Sequence, residues 1–526
     1  MTTSIPSVPV SQSGEPAQSS VPGEDANRHK DFASRWRLAL CLGLVSLADF
    51  LFYYHSIGWT AGGFGLCVLL IAALCNRRFL ASRTGRFVFI VELGLIAALV
   101  EDPSPLALML FSAGLVSFVL SDQPAVFRDV IGWGRALVLF AMQSLGRLPR
   151  DLWAGTMTLE ARANGRPFDP VIRAWLLPSA LAAVFAGLFW SANPVIEGWI
   201  TAFGRSASFD LPSLERTLFW LGSAMVIWPV LYPRLQGFMP GDLFAGGRKL
   251  EAGDEPGTPA GWDYLVSMDA VVRSMVIFNV LFAIENGLDL AYLWAGSALP
   301  QGVTYASYAQ RGAYPLIATA LLAGAFVMLV FGPGSKAKHS RLVTGLMYLW
   351  IGQNVFLVVS SIARTLRYVE VYSLTYLRLA ALIWMAVVAA GLIWLVLRFI
   401  WDKSNVWLLN ANALSVLATL YGLSFVNPGG VIADYNVRHC SEIAGVAAHL
   451  DFQYLEEIGP DAYPALRWYI GNVKPTLLTF PTARAELLAH RFEAQIQTRV
   501  NDWRGWTLRL QRYAGLVPKP QAPAVP

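Results

Sequence analysis

The stretch with the most chemistry to offer is Phe278-Asn279-Val280-Leu281-Phe282-Ala283-Ile284-Glu285-Asn286-Gly287-Leu288-Asp289, where two amides and two carboxylates interrupt an apolar run. An acid at the centre of a bilayer costs roughly 2.5 to 3.5 kcal/mol on insertion scales, so such groups face a partner, a cavity or water. Asn279, Asn286 and Asp289 are seven and three residues apart, which places them on one helical face. Glu285 stands about 100° round the helix from Asn286. A second set, Gln353, Ser360, Arg364 and Arg367, repeats the pattern at spacings of seven, four and three. The two faces predict an ion pair of Asp289 or Glu285 with Arg364 or Arg367. The competing expectation is that both acids emerge at the outer interface, where burial costs less. The candidate intramembrane polar site is therefore Asn279, Glu285, Asn286, Asp289, Gln353, Arg364 and Arg367.

Other chemistries find little support. His29, His55, His339, His439, His449 and His490 lack the His-x-x-x-His spacing that puts two ligands on one helix face. Cys41, Cys67 and Cys75 lie in apolar runs and Cys440 stands alone, so neither a disulfide framework nor a Cys-x-x-Cys pair exists. No phosphate-binding loop, nucleophile elbow or His-Glu-x-x-His is present. No catalytic residue, metal or cofactor is expected, and enzyme action is not favoured. Asn410 and Asn412 read as helix caps at the start of the last span. Asp434, Asn436, Arg438 and His439, just after it, read as loop chemistry before ligand binding.

The elements that must position these groups follow from composition. The chain has 526 residues, 55% hydrophobic and 14% charged, with a mean hydropathy of +0.47, which is a bilayer composition and not that of a soluble chain. The net charge of +5 is spread through short loops between apolar runs, so it reads as a topology signal and not as a nucleic-acid surface. The expected partners are the lipid bilayer and other membrane proteins, with no nucleic acid.

Apolar runs near the required length of about 20 residues occur at 37–54, 57–75, 87–101, 104–121, 174–193, 214–233, 268–290, 312–332, 342–362, 379–400 and 406–426. The fold class is all-α, a polytopic helical bundle of about eleven transmembrane helices with a small helical C-terminal tail. Residues 1–30 form a disordered N-terminal tail and the first span is an uncleaved anchor. Residues 31–426 form the transmembrane domain, with 126–146, broken by Arg128, Asp129 and Arg135, as an interfacial helix.

Basic clusters at Arg77 and Arg78, at Arg147 and Arg150, and at Lys336 and Lys338 place those loops and the N-terminus in the cytoplasm. An odd number of spans then puts residues 427–526 in a periplasm. That tail is a small capping region whose helix at about 482–514 carries Leu488, Phe492, Ile496, Val500, Trp503 and Leu510 on one apolar face.

Several strings, Phe278 to Asp289, Leu299-Pro300, Tyr308 to Leu316, Gln353-Asn354, Asn410 to Ala413 and Tyr435 to Arg438, resemble a bacterial membrane family known as domain of unknown function 4173, over residues 80–470. The resemblance implies a multi-pass bacterial inner-membrane protein and no mechanism. Transport of an ion or small molecule is the leading functional expectation. The alternatives are a non-catalytic scaffold or sensor subunit and a membrane-embedded enzyme acting on a lipid-linked substrate.

Overall fold

In a computed structural model of the protein, the described residues are 22–144, 146–151, 213–233, 268–295, 322, 326, 340–445, 448–473 and 479–518. Every regular element among them is helical. In chain order the helices are α1 (Pro22–Phe52), α2 (Thr60–Cys75), α3 (Arg78–Ala81), α4 (Arg83–Glu101), α5 (Pro105–Val119), α6 (Val130–Ser144), α7 (Leu214–Leu231), α8 (Met268–Asp289), α9 (Arg341–Tyr372), α10 (Tyr376–Ile400), α11 (Asn405–Leu423), α12 (Pro428–His439), α13 (Ser441–Ala444), α14 (Phe452–Ile458), α15 (Tyr463–Asn472), α16 (Thr479–Asn501) and α17 (Leu508–Ala514). The expected spans at 174–193 and 312–332 and the string Tyr308 to Leu316 lie outside the described residues, apart from 322 and 326.

Hydroxyl caps set many of the boundaries. Ser82, Ser104, Ser213, Ser340, Thr375 and Ser404 each accept a hydrogen bond from the backbone N–H three residues on, which satisfies a donor that the first helical turn would leave unpaired. Pro105 follows Ser104 at the first helical position, where its missing N–H does no harm.

Among the described residues, four helical segments are long and apolar enough to cross a bilayer: Pro105–Asp122, Arg341–Tyr372, Tyr376–Ile400 and Asn405–Leu423. Thr60–Cys75 and Val130–Ser144 are apolar but shorter, the latter falling within the stretch expected to lie at the interface. Helices α4 and α8 owe their weaker apolar character to charges within them, Arg83, Arg86, Glu92 and Glu101 in one and Asp269, Arg273, Glu285 and Asp289 in the other.

The chain divides into two compact units. The first holds Met1–Asp49 and Gly146–Arg234. In it α1 and α7 pair antiparallel, with Arg37 over the Tyr232 ring near one end and Asp49 joined to Arg216 near the other. The second holds Phe50–Leu145 and Leu235–Pro526.

Within this second unit α2, α4 and α5 form one bundle. Gly62 lets α2 approach α4 at Ile96 and Val100, where any Cβ would overlap the α4 backbone. Helices α8, α9, α10 and α11 form another bundle around Val271, Met275, Met347, Trp350, Leu395 and Leu408. Helices α12 to α17 build a third region with its own buried core, including Val437, Leu455, Tyr463, Leu466, Tyr469, Leu488, Phe492 and Ile496.

The expected single helix at 482–514 is two. Helix α16 ends at Asn501, the chain turns through Asp502 to Trp506, and Thr507 caps α17 by accepting from Leu510 N–H at 3.2 Å. Leu488, Phe492, Ile496 and Leu510 are buried as the spacing implied, but the turn leaves Trp503 47% exposed. The break arises because Asp502 accepts from Arg504 N–H and from the Ser56 hydroxyl. These bonds favour a turn over another helical residue.

Candidate functional site

Helix α8 and helix α9 run in the same direction, side by side. The Asn279 amide nitrogen donates to the Leu346 carbonyl at 3.0 Å, the Asn286 amide nitrogen to the Gln353 carbonyl at 3.3 Å, and the Trp294 indole to the Ser360 hydroxyl at 3.1 Å. These pairs are separated by 67, 67 and 66 residues, a constant offset that only parallel strands of chain produce.

At its C-terminal end α8 passes into a single π turn, Leu290–Trp294, of the kind that recurs at functional positions. Just before it, the buried Asp289 carboxylate receives the Arg364 guanidinium at 3.1 Å, and both side chains are 5% exposed or less. An Arg side chain leans towards the N-terminus of its own helix, which carries Arg364 back along α9 to that carboxylate. A buried pair of this kind is held by mutual neutralisation. Either charge left alone would carry a desolvation penalty of several kcal/mol.

The seam is polar beyond this pair. Asn279 is buried and its amide nitrogen is engaged by the carbonyls of Met275 and Leu346, so its oxygen must face the other way. That oxygen, the Asn286 amide oxygen and the Gln353 side-chain oxygen are all shielded, with no donor among the described residues. Unpaired buried acceptors are uncommon, and each is a place for a donor from water or a ligand.

The expected site residues thus divide. Asn279, Asn286, Asp289, Gln353 and Arg364 come together along the α8–α9 contact. Glu285 is half-buried on the neighbouring face, and Arg367 is exposed, so neither joins them.

The polar groups near the last span have other roles. Asn410 does not cap its own helix, since Ser404 does that. It accepts from Val130 N–H at 2.9 Å and donates to the Arg128 carbonyl, capping α6 from across the bundle. Asn412 donates to the Leu408 carbonyl in its own helix at 2.8 Å. Asn436 is buried and bonds both the N–H and the carbonyl of Leu374, fastening α12 to the α9–α10 turn. Asp434 and Arg438 form an exposed ion pair, and the His439 ring stacks on Tyr435 at 4.1 Å. These residues line an open groove of about 510 Å³ along one face of α12.

Two acidic positions went unnoticed in the sequence. Asp49 lies near the end of α1, where it receives Arg216 through two nitrogens, at 2.9 and 2.5 Å, and the Trp220 indole at 2.9 Å. Glu92 lies at the centre of α4, fully buried. Each is a lone acid in an apolar run, which is the only signal the sequence offers, because neither has a periodic partner on its own helix. No group of three or more His, Cys, Asp and Glu side chains gathers as metal ligands among the described residues.

The domain of unknown function DUF4153 matches residues 39–468. This corrects the resemblance to the 4173 family and extends the matched region towards the N-terminus. Three of the strings that suggested the other family, Phe278 to Asp289, Gln353-Asn354 and Asn410 to Ala413, are polar and small residues set in apolar helices, features that multi-pass bundles share and that do not separate one family from another. No curated protein and no solved structure matches the chain.

Proposed function

This chain belongs to the DUF4153 family, and on that premise we propose that it is a bacterial inner-membrane protein of about eleven spans that moves a small cationic or hydrogen-bond-donating solute. The observation that carries this reading is the α8–α9 seam, where the oxygens of Asn279, Asn286 and Gln353 are shielded, with no donor among the described residues, beside the Asp289–Arg364 pair. Acceptors in excess of donors suit a solute rich in N–H groups or a cation, and suit an anion poorly.

The span count draws support from packing. Helices α4 and α11 lie side by side at Gly94 and Tyr421 and both finish beside the C-terminal region, α4 through Glu101 and Asp102 and α11 through Asn427, which donates to the Tyr513 hydroxyl. They are parallel, as the third and eleventh spans of an N-in, C-out protein would be. The parallel α8 and α9 fit the seventh and ninth in the same way. On this reading the N-terminus is cytoplasmic, 31–426 is the membrane domain, and 427–526 is a periplasmic cap.

The test is native mass spectrometry of the protein released gently from its own membrane, with wild type compared against Gln353→Leu and Asn286→Leu. A bound small molecule, stoichiometric in wild type and lost in both variants, supports transport. A stoichiometric protein partner with no small molecule would move the assignment to the scaffold or sensor reading, which the open groove on α12 favours.

A further inference from the structure

Glu92 stands nine residues from either end of α4, or about 13 Å from each at 1.5 Å per residue. Its side chain is fully buried, and neither carboxyl oxygen has a hydrogen-bond partner among the described residues. Space for the group comes from α5, which presents Gly114; a Cβ there would overlap the Glu92 carboxyl.

Among the described residues the neighbours supply no counter-charge at this depth. Helix α2 brings the thiols Cys67 and Cys75 and no charged side chain, and α5 brings only Ser112 and Ser117. Helix α11 brings the Tyr421 phenol, which lies against Gly94. Arg509 and Arg512 of α17 reach only the far end of α4, where Asp102 and Glu101 hold them. Arg83, Arg86, Arg78 of α3 and Asp122 after α5 all belong to the opposite end. Among the described residues an ionised carboxylate would find no group to replace its hydration, and the neutral acid is the form that fits.

A polar line leads away from it. Gly114, Ser117 and Ser121 follow one another at spacings of three and four, on one side of the α5 segment. Ser117 accepts from the Trp133 indole at 2.9 Å. Ser121 is buried, has no hydrogen-bond partner among the described residues, and lies against Gly85 in the first turn of α4.

We propose that Glu92 is a proton-exchange site at the middle of the membrane, opening towards the side on which α4 begins. In the packed arrangement the carboxyl keeps its proton. When α4 and α5 separate and water enters past Ser121 and Ser117, the O–H bond breaks, the proton passes to water, and the carboxylate keeps the electron pair. In the transport reading above this site provides the coupling proton; the site itself does not depend on that reading.

The experiment is carboxyl labelling of the full-length protein in vesicles of its native lipids, with the modified residue located by tandem mass spectrometry. A lipid-soluble carbodiimide adds only to the protonated acid, so Glu92 is expected to be labelled by dicyclohexylcarbodiimide and not by a water-soluble carbodiimide. The label should be lost as pH rises, and Asp289, neutralised by Arg364, should stay unmodified. Glu92→Gln, the neutral isostere, should accumulate in membranes at the wild-type level and lose the label completely. Absence of label at Glu92, equal labelling by both reagents, or loss of the protein in Glu92→Gln with retention in Glu92→Asp would each overturn the proposal. Because the readout is the carboxyl alone, its failure leaves the solute test at Gln353 and Asn286 intact, and the reverse holds too.

Discussion

The Asp289–Arg364 contact makes a strong demand on single residues. Both side chains are buried, so Arg364→Ala takes the guanidinium away from a buried carboxylate and should cost about 3 to 5 kcal/mol of stability, read as a fall in the folded fraction surviving mild heating in detergent. The double exchange Asp289→Arg with Arg364→Asp should recover part of that loss. A double variant no better than Arg364→Ala would count against the pair. A second residue-scale effect lies in the C-terminal region. Burial alone would push the Glu442 carboxyl up, but bonds from its own N–H, His449, Cys440 and the Leu450 N–H hold it below the usual carboxylate range. A lowered carboxyl contributes stability above its unfolded value and loses it as pH falls through the folded one. Thermal unfolding of the C-terminal region should therefore shift down on acidification, and Glu442→Gln should flatten that dependence. Burial beside Glu442 also pushes the Cys440 thiol up to about 12, so Cys440 should resist maleimide in the folded protein. The seam residues were legible because amides and acids at heptad-like spacing interrupt an apolar run. Glu92 and Asp49 were not, because a lone acid carries no periodicity and only packing shows what faces it.

Helices are joined here by contacts that sequence spacing does not encode. Asn410, in the second turn of α11, satisfies the first N–H of α6 from nearly three hundred residues away, with |i−j| of 280. Its position near an N-terminus fits the capping rule, but the helix it caps is not its own. Asn410→Ala should cost about 0.5 to 2 kcal/mol, the range for losing an N-cap, and the effect should be local. Amide exchange is expected to speed up at Val130 to Trp133 and to leave the start of α11 unchanged, since Ser404 caps that helix. Faster exchange at Trp407 instead would return Asn410 to its own helix. The break between α16 and α17 belongs to the same class. The apolar stripe through Leu488, Phe492 and Ile496 continues in register to Leu510, and only the bonds of Asp502 to Ser56 and Arg504 reveal that the chain turns between them.

At the level of the whole second unit, one surface of contact orders the molecule's direction. Trp59 N–H donates to the Trp506 carbonyl at 2.7 Å and its indole to the Trp503 carbonyl at 2.8 Å. Arg504 donates to the Phe50 carbonyl, Arg509 to Asp102, and Arg512 to both oxygens of Glu101. The loop before α2 and the loop after α4 contain no Lys or Arg of their own, and the cations that meet Glu101 and Asp102 come from α17. The beginning of α2, the end of α4 and the C-terminal helices therefore lie together at one end of this unit. Asn410 beside Arg128 puts the start of α11 at the other. In the proposed topology these two ends face opposite sides of the membrane, a parity that hydropathy alone could only suggest, since a single miscounted helix reverses it. In a protein whose four native cysteines are replaced, a thiol introduced as Ser56→Cys and one as Gln453→Cys should react with a membrane-impermeant maleimide from the same side, and one at Arg128→Cys only from the opposite side. If Ser56→Cys and Gln453→Cys reacted from different sides, the docking of α17 on Glu101 and Asp102 could not hold in the membrane. If Arg128→Cys reacted together with them, α5 would not cross, and the parity would fall with it.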